Sequence, residues 1–183
     1  MKAEKDQLRQ QMREEAKRHS AEERAAGSRR ICELIRAQEV WQRAKSVLLF
    51  VPTAHEPDIS PLMKDGKRVS LPSFGEKLGR YEARLVKDEQ DLVPGKFGIA
   101  EPKATCPVTD LSTLDLVLAP GVAFATDGSR LGRGKGYYDR LLEQVKAIKI
   151  GVCFDWQVLS RIPCDGHDVS MDYVVTSDRW LRV

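Results

Sequence analysis

Between an apolar run, Leu114 to Leu118, and a helix-like run, Tyr137 to Val145, lies a segment that narrows the possible folds and ligands sharply. From Gly128 to Gly136 the chain holds four glycines, three cations (Arg130, Arg133, Lys135) and a single bulky hydrophobe, Leu131. A strand, a cationic glycine-rich loop and a helix start, in that order, place backbone N–H groups, a helix N-terminus and Lys/Arg side chains around one concavity, which suits phosphate. The familiar fingerprints do not match. Gly134-Lys135 has Ser129 where a Walker loop needs glycine and is followed by Gly136 instead of Ser or Thr, while Gly132-x-Gly134-x-Gly136 is not G-x-G-x-x-G. The plainer reading is a solvated basic loop. Three glycines at alternate positions count against it, because each loses backbone entropy on ordering.

The flanks read as alternating helices and strands. Lys2 to His19 is expected to be a helix with Leu8, Met12 and Ala16 on one stripe. Ser20-Ala21-Glu22-Glu23 has capping-box spacing and starts a second helix ending near Gln38, with Trp41 packing just beyond. Val47 to Val51 is a continuous apolar strand of the kind buried on both faces. A short helix from Pro57 to Met63 follows, with Pro57 in its first turn. Arg68 to Leu71 is a strand stopped by Pro72, and Tyr81 to Val86 a weaker one. Lys87 to Ser112 shows no periodicity and reads as a long loop. Leu114–Leu118 and Ile148–Phe154 are strands around a helix over Tyr137–Lys146. Trp156–Arg161 reads as a short helix, and Tyr173 to Thr176 as the strand that closes the sheet. This pattern predicts a single domain over residues 1–183, an α/β sandwich with a mostly parallel sheet and a ligand site beyond the carboxyl ends of its strands.

Hydrophobic residues at 42% and charged residues at 31% of the 183 suit a globular chain with a good core. No apolar run approaches the roughly 20 residues that cross a bilayer, and the charged N-terminus lacks a signal-peptide core. A cytoplasmic protein without a membrane partner is expected. The net charge of +3 is too mild for nucleic-acid binding. Its excess is local, in the N-terminal third and the glycine loop, and suits a small polyanion. Cys32, Cys106, Cys153 and Cys164 lack C-x-x-C spacing and read as reduced thiols; His19, His55 and His167 are scattered.

The run Pro120-Gly121-x-x-Phe124 through Gly128-x-Arg130-Leu131-Gly132-x-Gly134-x-Gly136-Tyr137-Tyr138-Asp139 resembles the signature of the 5-formyltetrahydrofolate cyclo-ligase family. Lys5-Asp6-Gln7-Leu8-Arg9, Phe50-Val51-Pro52 to Glu56-Pro57-Asp58, and Phe97-Gly98-Ile99-Ala100-Glu101-Pro102 are similar to further family segments, in the expected order. The chain has Ala125 and Ser73 where the family usually has Asp and Arg. The resemblance implies a monomeric, Rossmann-like three-layer sandwich akin to sugar-phosphate isomerases and CoA transferases. It implies ATP and Mg²⁺ as co-substrate and ion.

The glycine loop's residues then divide by chemistry. Gly132, Gly134 and Gly136 let the backbone approach phosphate oxygens, while Arg130, Arg133 and Lys135 neutralise them. Lys135, a point charge, suits the phosphoryl group in transfer, and Arg133 suits clamping. The resemblance adds Lys5, Arg9, Leu131, Tyr137 and Tyr138 to the ATP site. Lys5 and Arg9 share one helix face at their four-residue spacing but by spacing alone are ordinary solvated charges. Tyr138 also fits an apolar stripe with Leu141, Leu142 and Val145, so Tyr137 is the stronger ligand candidate.

On the folate side stand Arg9, Val51, Glu56, Phe74 and Phe97, together with Arg133, Gly134, Lys135, Gly136 and Tyr137. Glu56 would meet the donor edge of a pterin or the amine to be cyclised; otherwise it is a helix-start acid. Phe74 and Phe97 would sandwich the flat ring, although aromatics more often pack a core. Asp139, in a first helical turn, is either a dipole partner or, as the resemblance implies, a magnesium ligand with Asp168.

The implied reaction is ATP- and Mg²⁺-dependent closure of 5-formyltetrahydrofolate to 5,10-methenyltetrahydrofolate, with ADP and phosphate released. Its rivals are an ATP-independent isomerase or transferase on phosphorylated sugars or CoA, and a nucleotide- or folate-binding protein without turnover.

Overall fold

The computed structural model describes every residue except Lys77, Lys96, Phe97 and His167. Seven strands form the central sheet: β1 (Ser46–Leu48), β2 (Arg68–Gly75), β3 (Arg80–Val86), β6 (Leu116–Pro120), β9 (Ile148–Val152), β11 (Tyr173–Val175) and β12 (Trp180–Arg182). Their order is β12-β11-β9-β6-β1-β2-β3. The five inner strands pair in parallel, and β3 and β12 add antiparallel edges. The fold is mixed α/β with a mostly parallel sheet, as expected. The closing edge strand is Trp180–Arg182, which lies beyond Tyr173–Val175.

Alternate residues of β6 show how the sheet is buried on both sides. Leu116 and Leu118 pack in one cluster with Ile31, Ile35 and Trp41, whereas Val117 and Ala119 pack in another with Leu141, Leu142 and Val145. The first cluster is supplied by α2 (Ala21–Arg36) and α3 (Glu39–Arg43), and the second by α4 (Tyr137–Leu142) and the residues just after it. The Ser20 capping box is formed: Glu23 N–H donates to Ser20 Oγ at 3.1 Å and Ser20 N–H to the Glu23 carboxylate at 2.9 Å.

Several expected elements differ. β2 runs through Pro72 to Gly75. Thr109 N–H donates to the Ala83 carbonyl and Leu85 N–H to that of Pro107, so both β3 residues turn their polar backbone away from β2. Their partners in register, Pro72 and Ser70, therefore point theirs toward β1, and Leu49 N–H donates to the Ser70 carbonyl at 3.0 Å. β1 ends at Leu48, so the N–H that Pro72 lacks has no ladder position to fill.

The expected Pro57–Met63 helix is a 3-10 turn at Ser60–Lys64 with Pro61 near its start. Trp156–Arg161 is a 3-10 turn, Asp155–Gln157, leading into β10 (Val158–Leu159). The long loop contains a hairpin, β4 (Leu92–Pro94) with β5 (Ala100–Pro102). The first part of the cationic segment is itself a strand: β7 (Ala123–Ala125) forms a second hairpin with β8 (Arg130–Leu131), which β10 joins as a third strand. Against this small sheet lies α1 (Lys2–Ala16), its Met12 and Leu8 packed with Ala123, Ala125, Leu131 and Ile162. Among the described residues no helix is long and apolar enough to cross a membrane.

Candidate active site

The sheet's topology opens a cleft of about 320 Å³ beyond the carboxyl ends of β1 and β6, where α/β sheets hold ligands. Phe50 and Val51 follow β1 into it, Pro120 and Gly121 end β6, and Pro72 and Tyr81 come from the β2–β3 pair. The glycine loop forms the opposite wall with Gly132, Arg133, Lys135 and Gly136, continuing into Tyr137, Tyr138 and Asp139.

The loop's shape depends on glycine at two positions. Gly134 has φ +93° and Gly136 φ +62°, in the left-handed region that L side chains disfavour. Gly136 is the N-cap of α4, which ends at Leu142 and is shorter than expected. The loop is held from below by α1. Arg9 Nε donates to the Gly132 carbonyl at 2.8 Å, and the Arg9 guanidinium lies so close to Gly134 that a Cβ there would stand 3.2 Å from its Cζ. Leu131 is fully buried in the core facing α1, so its side chain is out of reach of a nucleotide.

Charges in the site are paired. Arg133, 53% exposed, donates from one nitrogen to Glu56 at 2.7 Å and to Thr53 Oγ at 2.8 Å. The Glu56 side chain is only 9% exposed; its other oxygen accepts from Thr53 N–H at 2.9 Å and Thr53 O–H at 3.0 Å. One ion pair therefore bridges the loop after β1 to the glycine loop at the mouth of the cleft. Arg130, 2% exposed, donates to the Pro120 carbonyl at 3.0 Å and to Asp139 Oδ1. Asp139 thus has a third role beyond the two expected: it neutralises a buried arginine.

Lys5 donates to Asp165 at 3.0 Å and to Asp168 at 2.5 Å. For both Lys5 and Asp168 burial works against the charged form and is outweighed by their mutual hydrogen bonding and attraction. Lys5 is thereby raised above 10.5 and Asp168 held below 3.8, Arg130 contributing to the latter. Asp139 and Asp168 are each engaged by a cation, and among the described residues no group of three or more His, Cys, Asp or Glu side chains converges for a metal.

An aromatic cluster borders the cleft. Phe74 meets Tyr137 edge-on at 5.1 Å and Tyr81 at 5.6 Å, and Arg140 sits over the Tyr137 ring at 4.9 Å. Phe97 lies outside the described residues. The expected residues gathered in the cleft itself are Val51, Glu56, Arg130, Gly132, Arg133, Lys135, Gly136, Tyr137, Tyr138 and Asp139. Arg9 and Phe74 touch its lining, and Lys5 and Asp168 form a separate pair that ties α1 down.

Sequence reasoning missed Tyr81, Thr53, Asp165 and Glu101. Glu101 is buried on β5, lines the cleft and accepts the Phe74 N–H at 2.8 Å. Its only signal was its place in the Phe97–Pro102 segment. Burial pushes the Tyr81 phenol up, with the Glu101 carboxylate adding to the effect.

Fold and cleft together define an α/β protein that joins an aromatic wall to a cationic, phosphate-type glycine loop. The model of the 5-formyltetrahydrofolate cyclo-ligase family matches residues 1–177, and the chain belongs to that family. It is 31% identical to 5-formyltetrahydrofolate cyclo-ligase of Mus musculus, covering 93% of this chain and 92% of the relative. It is 33% identical to the Escherichia coli K12 enzyme of the same name, over 74% and 80% of the two chains. The structure of Aquifex aeolicus 5,10-methenyltetrahydrofolate synthetase superposes with a TM-score of 0.88 at 34% identity, over 97% of this chain and 92% of that one.

Proposed function

We propose that this chain uses ATP to close 5-formyltetrahydrofolate into 5,10-methenyltetrahydrofolate, releasing ADP and phosphate. The observation that carries the reading is the cleft itself: aromatic rings suited to a flat pterin meet a left-handed glycine loop bearing Arg133 and Lys135. The formyl oxygen attacks the γ-phosphorus as ADP leaves, which makes the formyl carbon electrophilic and turns its oxygen into part of a good leaving group. N10 then attacks that carbon, its proton is lost to solvent, and the C–O bond breaks to release phosphate.

Each residue has a part in that sequence. Lys135 and Arg133, the catalytic pair, meet the charge that builds on the moving phosphoryl group, while Gly132, Gly134 and Gly136 offer backbone to the phosphates. Arg130, Lys5 and Arg9 support the nucleotide, all three with carboxylates already beside them, and Leu131 contributes main chain only. Tyr137 borders both ligands. Val51, Glu56, Phe74 and Phe97 hold the folate, with Glu56 toward the amine or pterin donor edge. Asp139 and Asp168 are hard oxygen donors of the kind magnesium accepts beside ATP phosphates, and they would hold it through its water shell. The ion would supply charge neutralisation at those phosphates.

The remaining expectations belong to the same proposal. The chain is one cyclo-ligase domain over 1–183, a cytoplasmic monomer with a Rossmann-like three-layer sandwich akin to sugar-phosphate isomerases and CoA transferases.

The test is direct. Purified protein with 5-formyltetrahydrofolate, ATP and Mg²⁺ yields the methenyl product, followed by its near-ultraviolet absorbance, and one ADP per turnover. ADP without the methenyl product means another acceptor. Neither product, with both ligands bound, means a binding protein without turnover.

A further inference from the structure

Beneath the aromatic wall is a donor that the proposed chemistry leaves unused. Tyr138 lines the cleft, and its ring packs against the core cluster of Leu141 and Leu142. Its hydroxyl is buried and has no hydrogen-bond partner among the described residues. A buried, unsatisfied hydroxyl is destabilising relative to a satisfied one, so a fold tolerates it where a partner arrives with a ligand. A phenylalanine would fill the same core without that cost.

We propose that the Tyr138 hydroxyl is a folate-positioning donor, engaged by a carbonyl oxygen of the substrate when it enters the cleft. The assignment rests on the cyclo-ligase reading and departs from the ATP role that resemblance alone gives Tyr138. Three features choose a neutral acceptor on the flat ligand over a phosphate. The groups that carry exposed positive charge, Arg133 and Lys135, lie on the loop at the mouth, whereas the Tyr138 hydroxyl is buried. Among the described residues the cation over the ring is Arg130, 5.5 Å from its centroid, and it is already neutralised by Asp139. The half-buried ring of Tyr81 meets Tyr138 edge-on at 6.3 Å in the same cleft, so the hydroxyl adjoins the aromatic wall.

Two carbonyls of the folate could serve, the oxo group of the ring and the N5-formyl oxygen, and binding separates them. Tyr138→Phe removes the hydroxyl alone. One neutral hydrogen bond corresponds to about tenfold in affinity. Calorimetry of wild type and Tyr138→Phe with 5-formyltetrahydrofolate, with unformylated tetrahydrofolate and with the ATP analogue AMP-PNP reads the outcome. An equal loss of about tenfold for both folates assigns the ring carbonyl, and a loss confined to the formylated one assigns the formyl oxygen. In either case AMP-PNP affinity and melting temperature are not lowered, and in turnover the KM for folate rises while that for ATP does not. Unchanged affinity for both folates overturns the proposal, as does a loss confined to AMP-PNP. A lowered melting temperature with normal folate binding also overturns it, showing a structural hydroxyl. Failure of the wild-type chain to bind either folate overturns the cyclo-ligase reading and this assignment with it, whereas normal wild-type binding and turnover with an indifferent variant overturns only Tyr138.

Discussion

On one side of the cleft, Gly132, Arg133, Lys135 and Gly136 come from five consecutive residues; on the other, Phe50, Pro72, Tyr81 and Glu101 come from four separate segments. The loop's conformation is local, written in glycines at φ +93° and +62°. The opposite wall exists only once β1, β2, β3 and the β4–β5 hairpin have been brought together. The contrast separates two jobs. A transferring phosphate needs charge and backbone at close quarters, which a short segment can supply, while a flat ring needs surfaces that only tertiary packing can align. The Arg133–Glu56 ion pair joins the two sides at the mouth.

If the loop carries the chemistry and the wall the recognition, substitutions should divide accordingly, and the largest effect falls on the loop. Lys135→Met lowers turnover by about 10²–10³, or about 2.7–4 kcal/mol of transition-state stabilisation, with folate affinity near normal. Single-turnover kinetics and equilibrium folate binding on one preparation read the two quantities. Wild-type turnover in this variant would reduce the loop to a binding feature and erase the division.

The next effect tests the border between the sides. Asp139→Asn leaves Arg130, 2% exposed, without its counter-charge. The amide still offers an acceptor, so the stability loss is about 2–3 kcal/mol, below the ~3–5 of outright removal of a buried partner. Chemical denaturation measures that loss. A magnesium titration of activity decides the metal role: the concentration for half-maximal rate rises if the carboxylate helps hold the ion, and stays put if Asp139 serves Arg130 alone.

How much of this could be read from the chain follows the same division. The glycine loop, the capping box at Ser20 and the parallel strands were legible because their signals lie within a few residues. Tyr81 and Glu101 were not, since nothing near them says which side chains they will face. Pro72 misled because a proline ends a strand only where its missing N–H has a ladder partner, and here β1 has already stopped. The β7–β8 hairpin was hidden inside the segment read as one loop. Its strands are three and two residues long, too short for periodicity to register, and they are stabilised by β10 and by Met12 of α1.

A smaller effect comes from α1, the element that supports the loop from behind. Lys5→Met removes both carboxylate contacts and costs about 1–3 kcal/mol, between the exposed and buried limits for ion pairs, because Asp165 and Asp168 stay partly solvated. The loss depends on pH at both ends. Asp168, held below 3.8, contributes stability that is present above that value and lost as pH falls through its lowered one. Lys5, raised above 10.5, contributes fully below that value and loses its contribution as pH rises through its higher one. Denaturation curves of wild type and variant therefore converge in strong acid and again in strong alkali. A gap independent of pH would mean that Lys5 acts through packing of its stem instead.

The smallest effect isolates backbone from charge. Gly136→Ala forces an L side chain to φ +62°, where the nearest atom to its new Cβ is Arg140 Nη1 at 3.6 Å, an ordinary contact. The conformational cost of about 1–2 kcal/mol is offset in part by the lower entropy of the unfolded alanine chain, leaving about 1 kcal/mol. Gly66 is a matched control: its φ is +73°, its Cβ would meet nothing within 4 Å, and it lies in the turn before β2, away from the cleft. Both variants should melt lower by a similar amount. Only Gly136→Ala should also weaken AMP-PNP binding, because there the strain is relieved by moving the N–H groups that face phosphate. Equal nucleotide affinity in the two variants would mean that the loop's charges hold the phosphates without help from its left-handed backbone.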